Sequence, residues 1–212
     1  MSEGTIITLG RQFGSGGREI GRMLAQRMDV PFYDRDLIRL AAEESGYNSE
    51  VLESADEKAT NIFLQSFATT AYTAGSRISL PTEISLNDKL FFAQADVIKK
   101  AAEKGPCVIV GRCADYILRD RSDCLNVFIH APLETRIERV MNLYKLGLTY
   151  EEAKNTILKT DKKRANYYNY YSNKEWNSIE SYDLTLNCDA TGIEGTVETI
   201  IEVARRRQQN RE

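Results

Sequence analysis

The stretch from Thr5 to Gly21, TIITLGRQFGSGGREIG, limits the possible folds more than any other part of the chain. Ile6, Ile7 and Leu9 form the apolar, β-branched run expected of a strand buried on both faces of a parallel sheet. Four glycines follow, Gly10, Gly14, Gly16 and Gly17, and then Ile20, Leu24 and Met28 keep helical spacing. In a strand, glycine loop and helix of this kind, backbone N–H groups converge on an anion and the helix N-terminus adds partial positive charge. Glycine serves there because a Cβ would block positive φ values or the close approach of phosphate. The pattern predicts a phosphate site built from Gly10, Arg11, Gly14, Ser15, Gly16, Gly17, Arg18 and Glu19.

The spacing departs from the common versions of this loop. The P-loop pattern of Gly, four residues, Gly-Lys and a hydroxyl residue puts its lysine slot on Gly17 or Arg18 and its hydroxyl slot on Arg18 or Glu19. The dinucleotide pattern Gly-x-Gly-x-x-Gly reaches Glu19 where its third glycine belongs. A third spacing, Gly10-x-x-x-Gly14-x-Gly16, fits the fingerprint of short-chain dehydrogenases.

Further strands are expected at Val30–Tyr33, Cys107–Val110, Leu125–Ile129 and Tyr182–Leu186, with helices between them. Pro132 is expected at the first position of one helix, Thr149 and Glu152 form a capping box opening another, and Ile193–Arg207 is the last. The expected fold class is α/β: a five-stranded parallel sheet with helices on both faces, in a single domain over residues 1–212. Residues 47–81 are less regular and suit an insertion facing the substrate.

A net charge of −3 leaves no global field for nucleic acid, so an anion site must be local. Four cysteines without a C-x-x-C pair, beside the lone His130, argue against zinc and against a disulfide framework. No basic-then-apolar leader and no run long enough to span a bilayer is seen, so a cytoplasmic protein with no membrane partner is expected.

Ligands bind beyond the C-terminal ends of such strands. Those ends carry Gly10–Arg18, Asp34–Asp36, Gly111-Arg112, His130 and Cys188-Asp189. Phosphoryl transfer needs cations and N–H donors around the migrating charge. Arg18, Arg112, Arg136 and Arg139 stand where such cations belong, and Lys162, Lys163 and Arg164 could close over phosphates from a mobile helix. Taken alone, that last run is more plainly a solvated helix face.

In GRQFGSGGREIG (10–21), PFYD (31–34), VIVGRCAD (108–115) and DKKR (161–164), the chain resembles the cytidylate-kinase-like branch of the P-loop nucleoside monophosphate kinases. The resemblance implies a P-loop kinase-like three-layer sandwich, a helical lid at 147–175, and transfer of the γ-phosphate of ATP to CMP, dCMP or a related small acceptor. It places Arg112 on the acceptor phosphate, helped by Arg35 or Arg39, with Asp34 and Asp115 on the acceptor side. Asp161 and Arg164 match the lid's Asp-x-x-Arg, and Tyr182–Thr191 resembles the segment near the donor base. Gly17 stands where the family has its loop lysine, with Arg18 as a candidate substitute; the Ser/Thr that helps hold Mg²⁺ is absent, and Val110 replaces an aspartate. The metal ligands are therefore left open, and Mg²⁺ is expected on the nucleotide, held through water by Asp34, Asp36 or Asp115.

Two alternatives compete. A domain with this loop could bind a nucleotide or phosphate ligand for regulation without transferring phosphate. An oxidoreductase would use Tyr170 and Lys174 as its catalytic pair, although only one strand follows Lys174. The Tyr167–Tyr171 cluster suits helix packing or a homodimer contact better than base stacking.

Overall fold

Five strands form one all-parallel sheet: β1 (Ile6–Arg11), β2 (Phe32–Tyr33), β3 (Val108–Val110), β4 (Cys124–His130) and β5 (Leu184–Asn187). The computed structural model describes residues 4–36, 38, 86–144 and 147–210. The strand order is β2-β3-β1-β4-β5, so the glycine loop leaves the middle of the sheet. β1 pairs along its length with β4, from Ile6 opposite Cys124 to Arg11 opposite Ile129.

Among the described residues the helices are α1 (Gly17–Met28), α2 (Leu86–Glu103), the short α3 (Ala114–Ile117), α4 (Leu133–Tyr144), α5 (Tyr150–Ser172) and α6 (Cys188–Gln209). Side chains alternate across each strand. Ile7, Leu9, Val108, Val110, Leu125, Val127 and Ile129 therefore share one face, where Ile20 and Leu24 of α1 and Val197 and Ile200 of α6 cover them. Each such buried Leu, Ile or Val contributes roughly 1.5–3 kcal/mol relative to exposure. On the other face Phe128 meets the ring of Trp176 edge-on at 5.2 Å and that of Tyr182 at 4.8 Å. A smaller cluster of Ile137 and Val140 with Ala153 and Ile157 joins α4 to α5.

By their contacts the residues fall into two compact units, Met1–Arg35 with Ile98–Glu212, and Asp36–Val97. The sheet and glycine loop belong to the first. The expected insertion at 47–81 lies outside the described residues, as does Arg39.

Within the described residues the expected strands and helices are present, with shifted ends. β5 begins at Leu184 because Tyr182 turns aside to donate its hydroxyl to the Trp176 carbonyl, and Asp183 N–H bonds to Asn126 O. α6 begins at Cys188, where the Asn187 side chain accepts from Asp189 N–H; Gly192 (φ 66°, ψ 177°) then interrupts it. The expected start at Ile193 is thus the start of its second segment. Pro132 is not the first helical residue: its carbonyl accepts from Arg136 N–H, which makes it the cap before Leu133. The Thr149–Glu152 capping box is formed as expected, with Thr149 N–H bonded to Glu152 at 2.8 Å.

Candidate active site

The loop between β1 and α1 turns on Gly14 and Gly16, both left-handed at φ 81° and 84°. A β-carbon on Gly14 would stand 2.9 Å from the Arg136 carbonyl oxygen, and one on Gly16 would stand 2.5 Å from Ile193 Cδ1. The loop is therefore pressed against α4 and the second segment of α6, a fit only glycine permits. Ser15 is buried, its hydroxyl donating to Gln12 O at 2.9 Å. Gly10 makes room for Phe128, which would lie 2.8 Å from a β-carbon there.

Cations gather at the mouth of this loop. Arg18 donates to buried Asp34 through Nε (2.8 Å) and Nη2 (2.6 Å), while about half of its side chain stays in solvent. Arg11, the last residue of β1, is pushed down to about 9, by burial first and then by the charges of Arg164 and Arg112. Asp34 opposes that shift and Arg18 adds to it. These five groups are four arginines and one aspartate, a setting suited to a polyanion.

Arg112 follows β3 in a turn where Gly111, Arg112 and Cys113 all have positive φ, at 81°, 59° and 55°. Two consecutive non-glycine residues in that region store strain of order 1–2 kcal/mol each, a feature concentrated at functional sites. The turn brings the Arg112 guanidinium to 5.9 Å from the centre of the Tyr167 ring.

α5 lies against the loop along one face, since Asp161, Arg164 and Tyr168 follow helical spacing. Asp161 accepts from Phe13 N–H at 2.7 Å and from Arg136 Nη1 at 2.6 Å. Arg164 donates to Arg11 O at 3.1 Å and lies 5.4 Å from the Phe13 ring centre. Tyr168 donates its hydroxyl to Asp115 at 2.6 Å. Burial pushes the Asp115 carboxyl above its ordinary range, against the Tyr168 bond and the Lys174 charge. Burial likewise raises Asp161, against its bond from Phe13 and the charge of Arg136.

Most of the expected site residues thus stand around the loop, but several already serve each other. Arg136 is buried and bonds to Asp161 and, at 3.4 Å, to Phe13 O, with no partner for its Nε. Arg139 faces Glu19 at 3.5 Å and lies beside Gly16. Lys162 and Lys163 are exposed on α5, and Arg35 is exposed just beyond Asp34. Among the described residues no group of three His, Cys, Asp or Glu side chains could hold a metal ion. Cys113, next to Arg112, is buried, and burial raises its thiol pKa. Phe13 lies inside the glycine-loop motif and Tyr167 and Tyr168 inside the tyrosine cluster, but no motif assigns them to the site. For Tyr168 a signal existed in its seven-residue offset from Asp161, two turns along one helix face.

A parallel sheet in the order 2-3-1-4-5, with a glycine loop running from its middle strand into a helix, is the P-loop kinase fold. Solved structures agree: a gluconokinase from Sinorhizobium meliloti 1021 has a TM-score of 0.54 at 14% identity, covering 97% of each chain. A shikimate kinase from Bacteroides thetaiotaomicron has a TM-score of 0.53 at 17% identity over 94% of this chain and 97% of that one. An uncharacterized protein from Eubacterium ventriosum ATCC 27560 is nearer, with a TM-score of 0.71 at 26% identity over 95% and 98%. Within this class the chain belongs to the cytidylate kinase-like family, whose model matches residues 6–190. It is similar to a cytidylate kinase of Ignicoccus hospitalis, 29% identical over 198 residues, covering 92% of this chain and 96% of that protein. A cytidylate kinase of Methanosarcina mazei is 23% identical over 184 residues, covering 86% and 87%.

Proposed function

We propose that the protein transfers the γ-phosphoryl group of ATP to the phosphate of CMP or dCMP. The observation that carries this reading is the gathering of Arg18, Arg112, Arg164 and Asp34 around Arg11 at the glycine loop, in a chain of the cytidylate kinase-like family. Phosphoryl transfer asks the protein for position and charge, and guanidinium forks pair two phosphate oxygens at once. In this reading the loop amides and Arg18 hold the donor phosphates, and Arg112 holds the acceptor phosphate, helped by Arg35 or Arg39. Arg164 and, further out, Arg139, Lys162 and Lys163 balance charge as α5 closes on the nucleotide. Arg136 positions α5 through its bond to Asp161. Asp34 sets the direction of Arg18, and Asp115 that of Tyr168. Mg²⁺ arrives on the nucleotide, and the protein itself is cytoplasmic.

A second reading, a regulatory module that binds nucleotide without turnover, draws on two observations: glycine at position 17, and the Arg18–Asp34 ion pair. The oxidoreductase alternative requires Tyr170 as a catalytic group, yet Tyr170 is 60% exposed and packs edge-on against Tyr171.

Release of ADP from ATP, measured over the nucleoside monophosphates with and without Mg²⁺, decides between the two. Turnover with CMP or dCMP supports the kinase; ATP binding without ADP release under any acceptor supports the module. In the kinase, Arg112→Ala raises the acceptor KM and lowers kcat by about 100-fold. Unchanged kinetics would remove Arg112 from the site.

A further inference from the structure

The loop has glycine where the P-loop pattern puts its phosphate-binding lysine, and the structure shows which side chain lies over that position. The Arg11 side chain runs over Gly17: a β-carbon on Gly17 would stand 2.6 Å from Arg11 Cβ and 2.9 Å from Cγ. Real β-carbons do not come so close, so no side chain at position 17 is compatible with this path of Arg11. At its far end the guanidinium lies against Gly111, where a β-carbon would stand 2.1 Å from Nη1. Two glycines on separate elements, the first residue of α1 and the residue after β3, are thus both cleared for one arginine. Its carbonyl, in turn, is held by Arg164 of α5 at 3.1 Å.

We infer that Arg11 takes the part of the missing lysine, reaching the donor's β- and γ-phosphates from the end of β1 across Gly17. The inference rests on the kinase reading above and adds to it, beside Arg18, the cation whose side chain lies over position 17. Arg18, the neighbour in sequence, is committed to Asp34 and half in solvent, whereas Arg11 lies among the cations of the loop mouth. The guanidinium exchanges no proton. As the bond from the γ-phosphorus to the β–γ bridging oxygen breaks and the bond to an acceptor phosphate oxygen forms, it offsets the negative charge gathering on ADP. A lysine at position 17 and an arginine passing over Gly17 carry the same charge, and sterically each excludes the other.

The test uses the full chain with ATP and CMP, measuring ATP affinity by calorimetry and turnover by ADP release. Arg11→Met keeps the length of the side chain and removes the charge; it is expected to lower kcat by about 100-fold or more. Arg11→Lys is expected to keep part of that activity. Arg11→Gly combined with Gly17→Lys exchanges the two solutions and is expected to recover turnover at least about tenfold over Arg11→Gly alone. Arg11→Met with wild-type ATP affinity and turnover overturns the assignment of Arg11 while leaving the kinase reading intact. Where Arg11→Met does not fold, a folded exchange variant with no recovery overturns it equally. A wild-type chain that binds no ATP overturns both the kinase reading and this inference.

Discussion

Gly14 is held by two independent constraints, its φ of 81° and the Arg136 carbonyl 2.9 Å from where a β-carbon would be. Gly192, at φ 66°, has the first constraint and open space around it. The two positions therefore separate backbone strain from packing. Gly192→Ala is expected to cost about 2 kcal/mol, the strain alone of a backbone region essentially reserved for glycine, and Gly14→Ala about 3 kcal/mol or more, strain plus overpacking. Urea unfolding of both variants checks this, and equal losses would mean that the contact with α4 contributes nothing.

At the scale of elements, α5 is fastened to the loop by Asp161 and to the β3 turn by Tyr168. Asp161→Asn leaves a buried guanidinium at Arg136 without its counter-charge, and a loss of about 3 kcal/mol in chemical denaturation is expected. Replacing Arg136 by Met in the same chain should restore part of that loss, because the stranded charge goes with it. Asp115 gives α5 a pH dependence. Its folded-state pKa is raised, so the folded form holds the proton more tightly than the unfolded chain does. The stability it contributes is full below the unfolded value and declines as pH rises through the folded one. Relative to wild type, Asp115→Asn is expected to gain stability as pH is raised from about 4 toward 7. A difference that stays flat across that range would show that Asp115 titrates normally.

For the whole molecule, binding at the loop mouth should be visible as stabilisation, since a ligand that binds only the folded form shifts unfolding by mass action. ATP at about 100 times its Kd contributes about 2.7 kcal/mol, or roughly 5–10 °C in Tm for a chain of this size. No Tm shift with saturating ATP would argue against a donor site. No described helix is long and apolar enough to cross a membrane. The amino-acid sequence was sufficient for the sheet, because strands buried on both faces must be apolar throughout and their neighbours must be helices of matching period. The same runs marked the glycine loop and the strand ends, and so most of the residues now found around them. Pairing was beyond it. That Arg18 is joined to Asp34, Arg136 to Asp161 and Tyr168 to Asp115 depends on separations of 16, 25 and 53 residues being closed by the fold. The same holds for Arg11 and Gly17: the sequence shows glycine in the lysine slot of the P-loop pattern and an arginine nearby, and only packing in three dimensions shows that the Arg11 side chain lies over Gly17.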